Sequence, residues 1–102
     1  MQARILPVRN DHQTYADTVA AVLQSIGARV DVVAADEPLG ARVRKAKLEK
    51  IPYVLVVGDD DVQANTVGVN SREKERPDRG VPVADFAAAL RAEIEKIGRA
   101  HV

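Results

Sequence analysis

The stretch at residues 51–58, IPYVLVVG, limits the possible folds more than any other part of the chain. A strand at a half-solvated sheet alternates apolar and polar residues. A run that is apolar at nearly every position must be covered on both faces, as inner strands are when helices lie above and below the sheet. The run follows a proline and ends at Gly58, and Asp59, Asp60 and Asp61 come next. A buried strand therefore delivers three carboxylates to one edge of whatever fold forms.

The flanking segments supply the helices this strand needs. Residues 13–27 carry Tyr15, Val19, Val22, Leu23 and Ile26 on one helical stripe, with Asn10 or Asp11 as a start signal and Gly27 as a stop. Residues 3–9 read as a strand ending near Pro7, and 29–34 as a β-branched strand. A polar turn at 35–40 leads into a helix at 40–50 that carries Arg42, Arg44, Lys45, Lys47 and Lys50. Beyond the apolar run the expectation is a turn at 59–64, a hairpin strand at 65–70 and a charged loop at 71–80. A short strand at 81–83 and a helix at about 84–98, with Phe86, Leu90, Ile94 and Ile97 on one side, complete the chain. The order βαβαββ(β)α predicts one α/β domain over 1–102, with a mostly parallel sheet, one antiparallel strand and three helices.

Composition narrows the function. The 102 residues are 46% hydrophobic and 29% charged, an ordinary balance for one small domain. There is no cysteine and there are only two histidines, His12 and His101, so thiol chemistry and a metal centre are not expected. His12, between the first strand and first helix, is expected to cap or to face solvent. Gly-rich phosphate loops and nucleophile elbows are absent. No apolar run reaches the length of a membrane span, and the N-terminus lacks a signal-peptide pattern, so the expected compartment is the cytoplasm. The formal net charge is zero, which argues against generic phosphate binding. These features suit a binding module better than an enzyme.

Three features converge on one edge. In open α/β sheets, ligands bind outside the carboxyl ends of the parallel strands. The turn with Asp36 and Glu37 and the turn with Asp59 to Asp61 both follow such strands, and the basic helix starts there with its positive dipole end. Cations that hold phosphates, beside carboxylates that accept hydrogen bonds from base edges, suit a structured RNA loop. Plainer explanations exist for each part: basic helices are often solvated faces, and aspartate is favoured in turns.

The stretches LPVRNDHQTYA at 6–16, DEPLGARVRKAKLEKIPYVLVVGDDDV at 36–62 and GVPVADF at 80–86 resemble the C-terminal anticodon-binding domain of class II aminoacyl-tRNA synthetases, most closely the threonyl type. The similarity spans residues 2–98. It implies a three-layer α/β/α fold around a five-stranded mixed sheet, and binding of a tRNA anticodon stem-loop. By position it assigns base reading to Asp36, Glu37, Asp61 and Asn70, and RNA-backbone contacts to Arg42, Arg44, Lys45 and Lys47. Asp59 and Asp60 are expected to shape the turn. Glu is common in the family where Asp61 stands, and Arg where Asn70 stands. The resemblance also implies that the chain is part of a larger, homodimeric ligase, while the isolated domain is monomeric. ATP and a zinc ion would belong to the parent's catalytic domain, with no cofactor in this chain. The alternatives are the same domain of a prolyl, histidyl or glycyl enzyme, or a protein-interaction module that has kept the shape.

Overall fold

The computed structural model describes residues 2–72 and 76–100, with side chains to residue 96. The elements are β1 (Ala3–Pro7), a 3-10 turn (Asn10–His12), α1 (Gln13–Ser25), β2 (Val30–Val32), α2 (Leu39–Leu48) and β3 (Tyr53–Val57). They continue with α3 (Asp59–Ala64), β4 (Thr66–Ser71), β5 (Asp78–Pro82) and α4 (Val83–Ala100). The sheet order is β2-β1-β3-β4-β5. β1 pairs in parallel with β2 and β3, and β4 runs antiparallel to both β3 and β5. The mixed five-stranded sheet and its single reversed strand match the expectation.

The apolar run becomes β3, an inner strand between β1 and β4. Its side chains alternate between two cores. Leu55 and Val57 join the larger one, with Ile5, Val19, Leu23, Val67, Phe86 and Leu90 beneath α1 and α4. Val54 points the other way and packs with Leu6, Ala46 and Ile51 beneath α2. Tyr53 meets Phe86 edge-on, with ring centroids 5.4 Å apart. On α1 the buried stripe is Ala16, Val19, Ala20 and Leu23; Tyr15 and Ile26 flank it, and Val22 is exposed. The side chain of Ile97 lies outside the described residues, as does His101.

Two expectations about the elements need correction. There are four α-helices, because residues 59–64 form α3 where a turn was expected. The three aspartates occupy its first turn, where negative charge complements the helix dipole and the free N–H groups. Asp61 Oδ2 accepts the Gly58 N–H at 3.0 Å, and Asn65 ends the helix in a left-handed conformation. The last strand begins earlier than expected, at Asp78 and not Val81. β5 is an edge strand with mostly exposed side chains, so its polar sequence resembles a loop.

Two polar joints hold the layers. Arg4 on β1 forms a fork with Asp31 of β2, at 2.9 and 3.0 Å, and also pairs with Glu49 at the end of α2. Arg42 on α2 is 3% exposed. It donates to the carbonyls of Pro7 at 2.7 Å, Glu37 at 2.9 Å and Val33 at 3.3 Å. Arg42→Met is expected to cost roughly 2–4 kcal/mol, because buried carbonyls lose a charged donor. A urea titration checks this; a loss below about 1 kcal/mol would show that the carbonyls find other partners.

His12 is buried, and of its two expected roles it takes the capping one and not the solvent-facing one. Its Nδ1 accepts the Arg9 N–H at 3.2 Å, so Nε2 carries the proton that reaches Asp59 at 2.6 Å. This hydrogen bond, with Arg9 nearby, holds the Asp59 carboxyl below its ordinary value. The depressed folded value means the contact contributes fully above the ordinary carboxylate pKa. The contribution fades as pH falls through the lower folded value. Asp59→Asn should therefore flatten the acid limb of stability below about pH 4. Urea midpoints that keep the wild-type acid dependence would contradict this joint.

Candidate nucleic-acid interface

One face of the sheet is covered by α1 and α4, but the other is covered only in part. α2 lies over Leu6 of β1 and Val54 of β3, and of the described helices only the short α3 meets β4 on that side, at its Thr66 end. The uncovered area is a groove of about 780 Å³. Val56, Gly68 and Asn70 lie on the sheet face, Leu39 and Val43 on α2, and Asp60 and Asp61 on α3. Gly68 suits this floor, since a Cβ there would sit 3.3 Å from the Val56 carbonyl. The result is a flat apolar base with polar groups at its margins, which suits a planar ring.

The expected base-reading residues divide into two groups. Asp61 and Asn70 line the groove. Asp36 and Glu37 are exposed in the loop before α2 and border a separate small cavity of about 130 Å³ with Arg4, Arg42 and Lys45. Asp36, Glu37 and Asp61 share the sheet edge at the carboxyl ends of parallel strands, whereas Asn70 sits on antiparallel β4 opposite Val54, near the amino end of β3, so only part of the first group shares that edge with the second. The two groups lie on different sides of α2, whose Leu39 and Val43 face the groove while Arg42 and Lys45 face the small cavity.

The carboxylates after β3 have different environments. Asp59 is bound to His12 and to Arg9, with Arg9 Nη2 at 2.9 Å from both oxygens. Asp61 accepts the Gly58 N–H and the Thr66 hydroxyl, the latter at 2.7 Å. The Thr66 carbonyl in turn accepts the Tyr15 hydroxyl at 2.7 Å, and burial together with the Asp61 charge pushes the Tyr15 phenol up. Asp61 is thus held in place from two elements. Asp60 is exposed, lines the groove, and makes no hydrogen bond or ion pair among the described residues. Shaping falls to Asp59 and Asp61, and Asp60 is left open.

The cations divide as well. Arg44, Lys45 and Lys47 are exposed along α2 and available to solvent or a ligand. Arg42 was expected beside them as an RNA-backbone contact. It is instead buried, with its guanidinium committed to three main-chain carbonyls. Its helical spacing carried the signal: Leu39, Arg42, Val43 and Ala46 fall at i, i+3, i+4 and i+7, the inward stripe. Sequence reasoning also passed over Arg79, which borders the groove from β5. Among the described residues, the Asn70 side chain makes one long contact, 3.4 Å, from Nδ2 to the Val54 carbonyl.

The chain matches a known family. A family model described as an anticodon binding domain matches residues 2–93. The chain is 43% identical over 95 residues to the threonine–tRNA ligase of Symbiobacterium thermophilum, covering 92% of this chain and 14% of that enzyme. It therefore spans about a seventh of that relative's length. Among solved structures, the RNA binding domain of threonyl-tRNA synthetase from Cryptosporidium parvum Iowa II superposes with a TM-score of 0.83 at 20% identity. That match covers 89% of this chain and 23% of the other. A prolyl-tRNA synthetase from Cryptosporidium parvum gives 0.82 at 16% identity, covering 94% and 21%. At such identities the two structures speak for the fold, while the ligase similarity speaks for the threonyl branch. The chain belongs to the anticodon-binding domain family and is homologous to that domain of threonine–tRNA ligases.

Proposed function

We propose that this chain is the anticodon-loop recognition module of a threonine–tRNA ligase. The observation that carries the reading is the open groove beside α2. Carboxylates and an amide sit over an apolar floor, and exposed Arg44, Lys45 and Lys47 lie along the neighbouring helix. The cations hold the phosphates and set the register of the loop. A splayed-out base enters the groove, where Asp61 meets its edge, and Asn70 lies further along β4 for a neighbouring part of the loop. A guanine presents two adjacent donors there, which one carboxylate accepts together. Asp61 is preorganised for this by its bonds to Gly58 and Thr66. Asp36 and Glu37 meet a second part of the loop across α2.

In this reading the chain contributes tRNA selection. Amino-acid activation, with its ATP and zinc, belongs to a part of the parent ligase outside these residues. The parent acts as a cytoplasmic homodimer, and the isolated domain is a monomer. No described helix is long and apolar enough to cross a membrane. The same domain of another class II synthetase is the second reading. It rests on the likeness to the prolyl enzyme in fold, and the 43% identity to a threonine–tRNA ligase weighs against it.

Binding of synthetic anticodon stem-loops, followed by fluorescence anisotropy over a range of salt, tests the proposal. Arg44→Ala should weaken binding to every loop and reduce the salt slope by about 1. An unchanged slope would remove the phosphate contact. Asp61→Ala should lower the ratio between a threonine-anticodon loop and one with its central guanine replaced, by about 5- to 100-fold. Equal losses for both loops would show that Asp61 does not read the base.

A further inference from the structure

The pairing between β4 and β5 contains an irregularity at the groove. Val67 pairs with Val81, and Val69 pairs with Asp78. One residue, Gly68, separates the β4 partners, whereas Arg79 and Gly80 separate those on β5. β5 thus carries a β-bulge, and Gly80 accommodates it in the left-handed region at φ +66°. Regular alternation would put Arg79 on the same face as Val81, beneath α4. The extra residue cancels that. Asp78 and Val81 both border the cleft beside α4, while Arg79 and Gly80 both border the groove on the opposite face.

The bulge therefore brings Arg79 to the groove. Arg79 is the one cationic side chain among the described groove-lining residues. It is exposed and makes no hydrogen bond or ion pair among the described residues. It shares the groove with Asp60, equally unpartnered, and with Asp61. A phosphate fits such a site poorly, because two carboxylates repel it. A neutral heterocycle with acceptors on one edge and adjacent donors on another matches both charges. Guanine has that pattern: N7 and O6 accept from a guanidinium, and N1–H and N2–H donate to a carboxylate. Adenine presents an amino group in place of O6, which would face the Arg79 donors.

We propose that Arg79, re-aimed by the β5 bulge, is a specificity-determining residue that reads the N7/O6 edge of a guanine held in the groove. This rests on the anticodon reading above and adds a contact from the edge strand to it. Arg79 acts on the base, not on the backbone, and so differs from Arg44 in its dependence on salt and on base identity.

An atom-level mutant cycle tests it with the full chain. The probes are a threonine-anticodon stem-loop and the same loop with 7-deazaguanine at the central position, which lacks only N7. Wild-type protein should bind the 7-deaza loop more weakly. Arg79→Gln should lower affinity for the guanine loop by about 5- to 100-fold and abolish the difference between the two loops. Its salt slope should remain that of wild type. Equal loss for both loops with a slope reduced by about 1 would make Arg79 a phosphate contact and overturn the proposal. Wild-type affinity in Arg79→Gln would overturn it while leaving the anticodon reading intact. Failure of wild-type protein to bind either loop would overturn both.

Discussion

The buried guanidinium of Arg42 determines where α2 lies, and the position of α2 determines how much of the sheet stays open. Its acceptors are the carbonyls of Pro7 at the end of β1, Val33 just after β2, and Glu37 in the loop leading into α2. A charged group this deeply buried is tolerated only when its donors are satisfied. The helix is therefore held over the β2–β1–β3 side by hydrogen bonds as well as by Leu6, Ala46 and Val54. With α2 on that face, α1 and α4 on the other and the short α3 at one end, the β4–β5 side remains only partly covered. The groove is a consequence of this unequal covering.

α3 completes the site, and its geometry explains the three consecutive aspartates. The sequence rises out of a buried strand straight into a short helix whose first turn is acidic. Asp61 closes that turn on Gly58 and ties it to Thr66, which Tyr15 of α1 also grips. Asp59 ties it to His12 and so to the β1–α1 connection. Both outer carboxylates are anchored, and the middle one faces the groove. A hairpin loop would leave all three mobile; a capped helix presents them in a fixed order.

Much of the architecture is legible in the residues, for identifiable reasons. β3 is apolar on both faces and can only be internal, and the stripe on α1 is long enough to resolve. α3 is too short for periodicity to register, although glycine followed by acidic residues is a helix-start pattern in its own right. β5 is hidden because an edge strand needs no hydrophobic run, and Pro77 and Gly80 suggest a loop. At the site, Asp61 and Asn70, assigned together by the family resemblance, border one groove. The resemblance and its charge place Arg42 with the RNA contacts, but a basic residue on an inward stripe is buried when main-chain carbonyls await it. Arg79 is invisible to alternation, because a bulge reverses the face on which it lies.

The most direct test of the account is to locate where RNA touches the domain. Backbone amide shifts of the labelled chain, titrated with a threonine-anticodon stem-loop and with the same loop lacking its central guanine, report this without requiring tight binding. The account predicts that both loops move the resonances of Arg44, Lys45 and Lys47 on α2. Only the guanine loop should also move Asp60, Asp61, Gly68 and Asn70 around the groove. Shifts confined to α1 and α4, or a groove that responds equally to both loops, would contradict the assignment of the open sheet face as the base-reading surface.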